Sequence, residues 1–217
     1  GELSPLVSHN LLHGIDFEIQ FLSNLVFKAF GKKMKNGKAL DVCCGIGEIS
    51  RYLNTIGFDT IGFDLNEDAI KIAKKVDPNG NYYICDATDL NSQILKKKYD
   101  LIFIREAHPF TRIHNDKFQV KLISTYLDLL QPGGILVIAQ AKGKKVLEPS
   151  VSFSVIKSHI MAQNYEYVGP YMLYLYKHFR LRKGSFWLIK VLSFLSQVVA
   201  FLLNLRLIAY FVIYKPK

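Results

Sequence analysis

From residue 38 to 140, short apolar runs alternate with stretches of helical spacing, and this alternation constrains the fold more than any other feature of the chain. Residues 39–42 read as a short buried strand and 48–55 as a helix. A strand at 60–64 is followed by a helix that Asn66 caps and that runs to 75. Strands are expected at 82–85 and 99–104, a helix at 116–130 and a further strand at 135–139. Gln131-Pro132-Gly133-Gly134 stops that last helix. Strands that alternate with helices form a parallel sheet covered on both faces, because each crossover carries its helix over one face. Such sheets bind ligands beyond the carboxyl ends of their strands, where the strand order switches. The residues to inspect are therefore 43–48, 64–66, 86–88 and 105–111.

The flanks are less regular. Ile15, Ile19, Leu22, Leu25, Val26 and Ala29 predict an amphipathic helix over 15–30, joined to the alternating part by a basic, glycine-containing connector at 31–38. Residues 165–176 are tyrosine-rich and suit a strand. Tyr165, Tyr167, Tyr171, Tyr174 and Tyr176 either line an aromatic pocket or alternate on a half-exposed strand. Residues 186–203 are strongly apolar, with Lys190, Ser193, Gln197 and Asn204 near one face. The expectation is a helix packed on the sheet, then a buried strand at 208–214. A transmembrane helix drawn through 186–208 is the alternative, with Lys190, Gln197, Asn204 and Arg206 against it.

With 217 residues, half of them hydrophobic, the chain suits one compact α/β domain, or one domain with an appended element. Its formal charge of +10 is unevenly spread. After Glu166 there is no Asp or Glu, but there are Lys177, Arg180, Arg182, Lys183, Lys190, Arg206, Lys215 and Lys217. A basic surface attracts nucleic acid, acidic lipid headgroups or anionic small molecules, or simply keeps the chain soluble. The N-terminus lacks a basic region followed by an apolar run, and three cysteines make no disulfide framework. A reducing, cytoplasmic compartment is expected.

Gly45-x-Gly47 follows the first strand and opens a helix. Glycines there let a ligand approach the backbone closely and leave free amides at the helix start. Asp64 ends the next strand, where an acid accepts hydrogen bonds from both hydroxyls of a ribose. Together they indicate an adenosine-containing cofactor. A dinucleotide loop would carry glycine at position 50, which is Ser50, and that departure alone is tolerable. Asp41, inside the first strand, weighs against a dinucleotide: a carboxylate repels a pyrophosphate and suits a ligand with an ammonium group. Asp86, in Cys85-Asp86-Ala87-Thr88, is placed to accept from an adenine amino group.

The runs ALDVCCGIGEISRYL, IGFDLNEDAI, YYICDATDL, YDLIFIREAH and LLQPGGILVI, in this order and spacing, resemble the successive motifs of class I S-adenosylmethionine-dependent methyltransferases, in the small-molecule, type 11-like branch. The resemblance covers about residues 38–140, and the ending IAYFVIYKPK is similar to the family's last strand. It implies an α/β fold, a Rossmann-like three-layer sandwich: a seven-stranded, mostly parallel sheet with an antiparallel last strand and helices on both faces. It also implies roles. Asp41 and the Gly45/Gly47 loop would hold the methionine end of S-adenosylmethionine, Asp64 the ribose, and Asp86 the adenine amino group with the Ala87 amide nearby. Leu65 would flank the adenine, and the product would be S-adenosylhomocysteine. Cys43 stands where the family most often has glycine and counts among the cofactor-side positions, as does Arg105. The domain would run over 1–217, with 3–30 as an N-terminal helical lid, 38–142 as the cofactor-binding core, and 143–217 supplying a substrate-side lid, the apolar helix and the last strands.

The sulfurs themselves carry little. Successive residues rarely converge on one ion, no CxxC pair exists, and Cys85 lacks the neighbouring proline of cysteine-dependent cytosine methylation. Cys43, Cys44 and Cys85 read as small buried apolar residues, and no metal is expected. Methyl transfer from a sulfonium is an in-line displacement that mainly needs proximity and orientation. A base is needed only where the nucleophile must lose a proton early. His108 is the first candidate base and Glu106 the second; the alternative for His108 is a loop hydrogen bond. Arg105 and Arg112 could also bind an anionic substrate or be solvated. REAHPF is not the Asp/Asn-Pro-Pro-aromatic loop of enzymes that methylate base amino groups, so a nucleic-acid substrate is not expected. Three functions are weighed: a methyltransferase for a small-molecule acceptor, anionic or hydrophobic; a peripheral membrane enzyme for a lipid or quinone; and a non-catalytic nucleic-acid or partner-binding module on a retained cofactor fold. Nothing in the sequence sets the oligomeric state.

Overall fold

Each apolar run of the alternating part takes its place in one sheet. The computed structural model describes residues 5–31, 36–89, 93–111, 113, 115–142, 157–160, 165–172, 175, 186–205 and 207–217. Its elements are α1 (Pro5–Phe30), β1 (Gly37–Val42), α2 (Glu48–Thr55), β2 (Phe58–Asp64), α3 (Glu67–Val76), β3 (Asn81–Ile84), β4 (Tyr99–Arg105), α4 (His108–Thr111), α5 (Asp116–Asp128), β5 (Leu130–Lys142), β6 (Glu166–Met172), α6 (Phe186–Leu202) and β7 (Leu207–Tyr214). The strand order is β3-β2-β1-β4-β5-β7-β6. Neighbours run parallel except at β7, which is antiparallel to both β5 and β6. This is the seven-stranded sheet expected from the motifs.

Both faces are covered, which is why the central strands are apolar at nearly every position. Leu40, Val42, Ile102, Ile104, Leu136 and Ile138 pack with Leu122, Ile123 and Tyr126 of α5. Their alternates Ala39, Leu101, Phe103 and Val137 face Phe21, Leu22 and Leu25 of α1, Ile49 and Leu53 of α2, and Ile189 and Leu192 of α6. Two asparagines start helices. Asn66 accepts from the Asp68 and Ala69 amides at 3.0 and 3.1 Å, and Asn115 from the Phe118 amide at 3.0 Å.

Some boundaries differ from those read in the sequence. The first helix begins at Pro5, ten residues before 15, with proline in the first turn, where its missing N–H costs nothing. Helix α5 ends at Asp128, and β5 already includes Gln131-Pro132-Gly133-Gly134. These residues form an irregularity within the strand: pairing jumps from Tyr99↔Leu130 to Leu101↔Ile135. A Cβ at Gly134 would lie 2.9 Å from the Gln131 carbonyl and 3.0 Å from that of Asp100, so no side chain fits there. The tyrosine-rich strand is β6, at the sheet edge; Tyr174, Tyr176, Arg112 and most of 143–183 lie outside the described residues. Among the described residues no helix is long and apolar enough to cross a membrane, and α6 packs beside β6.

Candidate functional site

Val42 pairs with both Phe63 and Ile104, so β1, β2 and β4 end at one level. The next residues, Cys43, Asp64 and Arg105, stand side by side, and Asp64 pairs with Ile84 at the end of β3. The strand order switches between β1 and β4, the position at whose carboxyl ends sheets of this kind form a ligand crevice. The segments 43–48, 64–66, 86–88 and 105–111 all follow strands that finish at this edge.

The loop after β1 is held from below by β2. The Cys44 amide donates to the Phe63 carbonyl at 3.0 Å. The Gly45 amide donates to Asp64 Oδ2 at 2.9 Å, and the Asn66 amide to Asp64 Oδ1 at 2.9 Å. Each Asp64 oxygen thereby uses one acceptor direction and keeps another for a ribose hydroxyl. Cys43, Gly45 and Gly47 have φ of 57, 54 and 77°, a tight reversal in left-handed backbone. A Cβ at Gly45 would meet nothing within 4 Å, whereas at Gly47 it would lie 2.6 Å from Tyr82 Cε1. Gly45 therefore borders open space that a ligand can occupy, while Gly47 is glycine because Tyr82 packs beneath it.

Under this loop Asp41 is 2% exposed and accepts from Ser50 Oγ at 2.6 Å. Burial pushes its carboxyl up to about 7, with the Ser50 bond opposing and the Glu18 charge adding to the rise. An acid poised there gains from a neighbouring cation. Asp86 Oδ1 accepts from both the amide and the hydroxyl of Thr88 at 2.8 Å. Tyr126 donates to the Ala87 carbonyl at 2.9 Å, and Leu65 is exposed at the end of β2.

After β4, the Glu106 amide donates to the Ala139 carbonyl at 2.8 Å, and Glu106 itself has φ 47°. Glu106 and His108 are both exposed. The backbone amide of His108 faces the Cys43 sulfur, which brings the start of α4 against the β1 loop. Gln119 of α5 donates to the Pro109 carbonyl, and to that of Ile113 at 2.7 Å, fixing α4 to α5. Arg105 turns toward α1. Its Nε lies 3.1 Å from Glu18 Oε1, an ion pair whose angle falls short of a hydrogen bond. Tyr210 of β7 donates to the same oxygen at 2.8 Å. Glu18 is fully buried, and desolvation raises its pKa against the opposing pull of Arg105 and Tyr210. Glu18 Oε2 and Glu48 Oε2 are buried without a hydrogen-bond partner.

Neither Glu18 nor Glu48 is among the residues picked from the sequence. Glu18 left a trace there: it stands at i, i+4 and i+7 with Leu22 and Leu25, an acid in the apolar stripe of α1. The cysteines are free, and burial raises the Cys43 thiol to about 12 and that of Cys44 further. Thiols so raised stay protonated and are poor nucleophiles and ligands. Among the described residues no cluster of three or more His, Cys, Asp or Glu could hold a metal ion.

A family model described as a methyltransferase domain matches residues 33–174, well over half the chain. The chain belongs to the class I S-adenosylmethionine-dependent methyltransferase family. The Probable S-adenosyl-L-methionine-dependent methyltransferase TehB of Haemophilus influenzae is 35% identical to this methyltransferase over 66 residues, 30% of this chain and 23% of that protein. The Ubiquinone biosynthesis O-methyltransferase of Pelagibacter ubique is 27% identical over 141 residues, 64% of this chain and 56% of that protein. The crystal structure of magnesium protoporphyrin IX methyltransferase from Synechocystis PCC 6803 with bound S-adenosylmethionine superposes with a TM-score of 0.61 at 14% identity, covering 99% of this chain and 86% of that one. At that identity the likeness is one of fold. The methyltransferase spans 23% to 56% of the length of the curated relatives it matches.

Proposed function

We propose that the protein binds S-adenosylmethionine in the crevice between β1 and β4 and transfers its methyl group to a small-molecule acceptor. The observation that carries this reading is a row of three acids, Asp41, Asp64 and Asp86, in or just after three neighbouring strands. Three carboxylates in line suit a ligand with an ammonium at one end, a diol in the middle and an amine at the other. Asp41 takes the ammonium, Asp64 the ribose, and Asp86 with the Ala87 amide the adenine, which Leu65 flanks. Gly45 and Gly47 let the ligand lie on the backbone, with Cys43 completing the turn. Arg105, held by Glu18, is the counter-charge for the carboxylate of the methionine end.

When bound, the cofactor supplies a methyl group on a sulfonium: the acceptor's lone pair forms the new bond to carbon as the carbon–sulfur pair returns to sulfur. The chain's own part is orientation. His108 takes the acceptor's proton where one must leave, and Glu106 is the second group in reach of that edge. We take 1–217 as one methyltransferase domain in a reducing, cytoplasmic setting, which three free cysteines fit. A second reading, a lipid or quinone acceptor at a membrane surface, is favoured by the exposed apolar side of α6. One relative is named for ubiquinone biosynthesis and one fold neighbour for magnesium protoporphyrin IX.

Calorimetric titration with S-adenosylhomocysteine tests the cofactor site. Asp64→Ala is expected to weaken binding at least about tenfold, the worth of one charge-assisted hydrogen bond. Unchanged affinity would remove the assignment. Screening small-molecule acceptors with methyl-labelled cofactor then names the substrate.

A further inference from the structure

Helix α6 buries Ile189 and Leu192 against the sheet, yet it also carries hydroxyls on that side. Ser193 and Ser196 are on its buried side: Ser193 Oγ accepts from the Met172 amide at 2.7 Å, and Ser196 Oγ from the Leu175 amide at 3.0 Å. Gln197 donates to the Pro170 carbonyl at 3.4 Å. These polar side chains serve the backbone in and just after β6, the outermost strand, whose groups would otherwise lack partners. Several large apolar side chains face outward. Trp187, Phe194, Phe201 and Leu202 are 71, 65, 67 and 72% exposed. Leu195 and Val198 lie exposed between them, and Leu203 extends the face past the end of the helix. Positions 187, 194, 198 and 201 recur at helical spacing, so this is one continuous face, and Lys190 is the single charge on α6.

We propose that this face is a docking surface for an anionic lipid bilayer. Charge complementarity selects that occupant. Lys190 is exposed on α6, and neither α6 nor β7 carries an acid, which a negatively charged headgroup layer complements. A second copy of the chain on this face would bring two Lys190 ammonium groups together with no acid on α6 to offset them. The length of α6, 17 residues, suits a helix lying in the interface rather than crossing it. Position agrees. Strand β7 starts at Leu207, paired with Lys142 beyond the end of β4, so residues 201–203 approach the edge of the sheet where the crevice opens. A bilayer on α6 would lie near the mouth of the site, and the docking does not depend on which acceptor is methylated.

Trp187 is the chain's one tryptophan and sits on the proposed surface, so it reports directly. The full chain is titrated with vesicles of mixed phosphatidylcholine and phosphatidylglycerol, and with phosphatidylcholine alone. Mixed vesicles are expected to shift Trp187 emission to the blue, brominated lipid to quench it, and salt to weaken the effect. F194S/F201S is expected to lower partition about 100-fold, roughly tenfold per ring withdrawn from the interface. It should leave S-adenosylhomocysteine affinity and thermal midpoint unchanged, because both side chains are exposed and neither is among the residues assigned to the cofactor. Lys190→Glu should weaken binding to the mixed vesicles alone. The proposal is overturned if mixed vesicles leave the emission unmoved, if F194S/F201S partitions like the parent, or if the lipid-free protein is a dimer in light scattering with Trp187 already in a dry setting. Cofactor titration reads the crevice and Trp187 reads the helix, so either reading can fail without the other.

Discussion

Asp41 should make the methyltransferase's hold on its cofactor depend on pH. The carboxyl lies buried under the Gly45/Gly47 loop, and desolvation raises it from 3.8 to about 7. An ammonium beside it favours the ionised form, so below pH 7 binding must first displace a proton. Affinity then falls about tenfold for each pH unit, reaching about 100-fold at about pH 5. Stability runs the other way. A carboxyl whose folded-state pKa is raised favours the fold when protonated, so its contribution is complete below 3.8 and is lost as pH rises through about 7. At about 1.4 kcal/mol per unit, the loss is on the order of 4 kcal/mol above neutrality. Asp41→Asn removes the titration while keeping an oxygen for the Ser50 hydroxyl. It is expected to raise the urea midpoint at about pH 8, to flatten the pH dependence of stability, and to weaken S-adenosylhomocysteine binding with a much shallower pH slope. Calorimetry in buffers of different ionisation enthalpy would also show proton release on binding to the parent below neutrality. Glu18 and Glu48 are raised by burial as well, so a residual slope in the variant belongs to them. A parent affinity flat across this range, or a variant less stable than the parent at about pH 8, would refute the reasoning.

Gly47→Ala combines a left-handed φ of 77° with a Cβ 2.6 Å from the Tyr82 ring, and should cost about 2–4 kcal/mol in urea denaturation; a wild-type midpoint would mean the loop relaxes freely. Arg105→Met leaves Glu18 buried without its counter-charge. We expect a loss of about 3 kcal/mol at about pH 8 that shrinks toward acid pH as Glu18 takes up a proton, and that Glu18→Gln in the same chain largely restores; a pH-independent loss would count against it. Cys43→Gly relieves a φ of 57°, worth about 1 kcal/mol, and forfeits a similar amount of packing. Stability and S-adenosylhomocysteine affinity should both stay level, and a tenfold or greater loss of affinity would mean the thiol itself contributes.

The centre of the sheet was legible because burial on both sides leaves no polar alternation to misread. Residues 99–104 and 60–64 are apolar or small almost throughout, and Asn66 announces the helix that follows. The row of acids was legible for the same reason, since Asp41, Asp64 and Asp86 stand at or near strand ends that the alternation locates. Boundaries that depend on a tertiary contact were not. Pro132-Gly133-Gly134 looks like a helix stop, and only the 3.0 Å approach of the Asp100 carbonyl to a Cβ at 134 makes it an irregularity inside β5. Glu18 was missed because periodicity says which side of α1 is buried, not which strand end that side meets. Its partners, Arg105 and Tyr210, come from β4 and β7.

Helix α6 packs on the sheet as expected, and the division between its two sides bears on function. In the sequence Lys190, Ser193, Gln197 and Asn204 fall near one face and leave a wide apolar remainder. In the structure Ser193, Ser196 and Gln197 turn inward to the β6 backbone. Leaving a buried backbone group unpaired costs about 1–3 kcal/mol, and the two serine contacts remove two such penalties. Against that, burying a Trp, Phe or Leu side chain would each be worth about 1.5–3 kcal/mol, and at least four of these stay exposed. The inward side also buries Ile189 and Leu192, so burial and edge-strand pairing together set the orientation and leave the outer apolar side chains available for a partner. Those outer side chains gain further if they leave water, which an anionic surface complementary to Lys190 would allow. The same comparison says that F194S/F201S, which removes only exposed rings, should fold as well in water as the parent and lose only its partition to lipid.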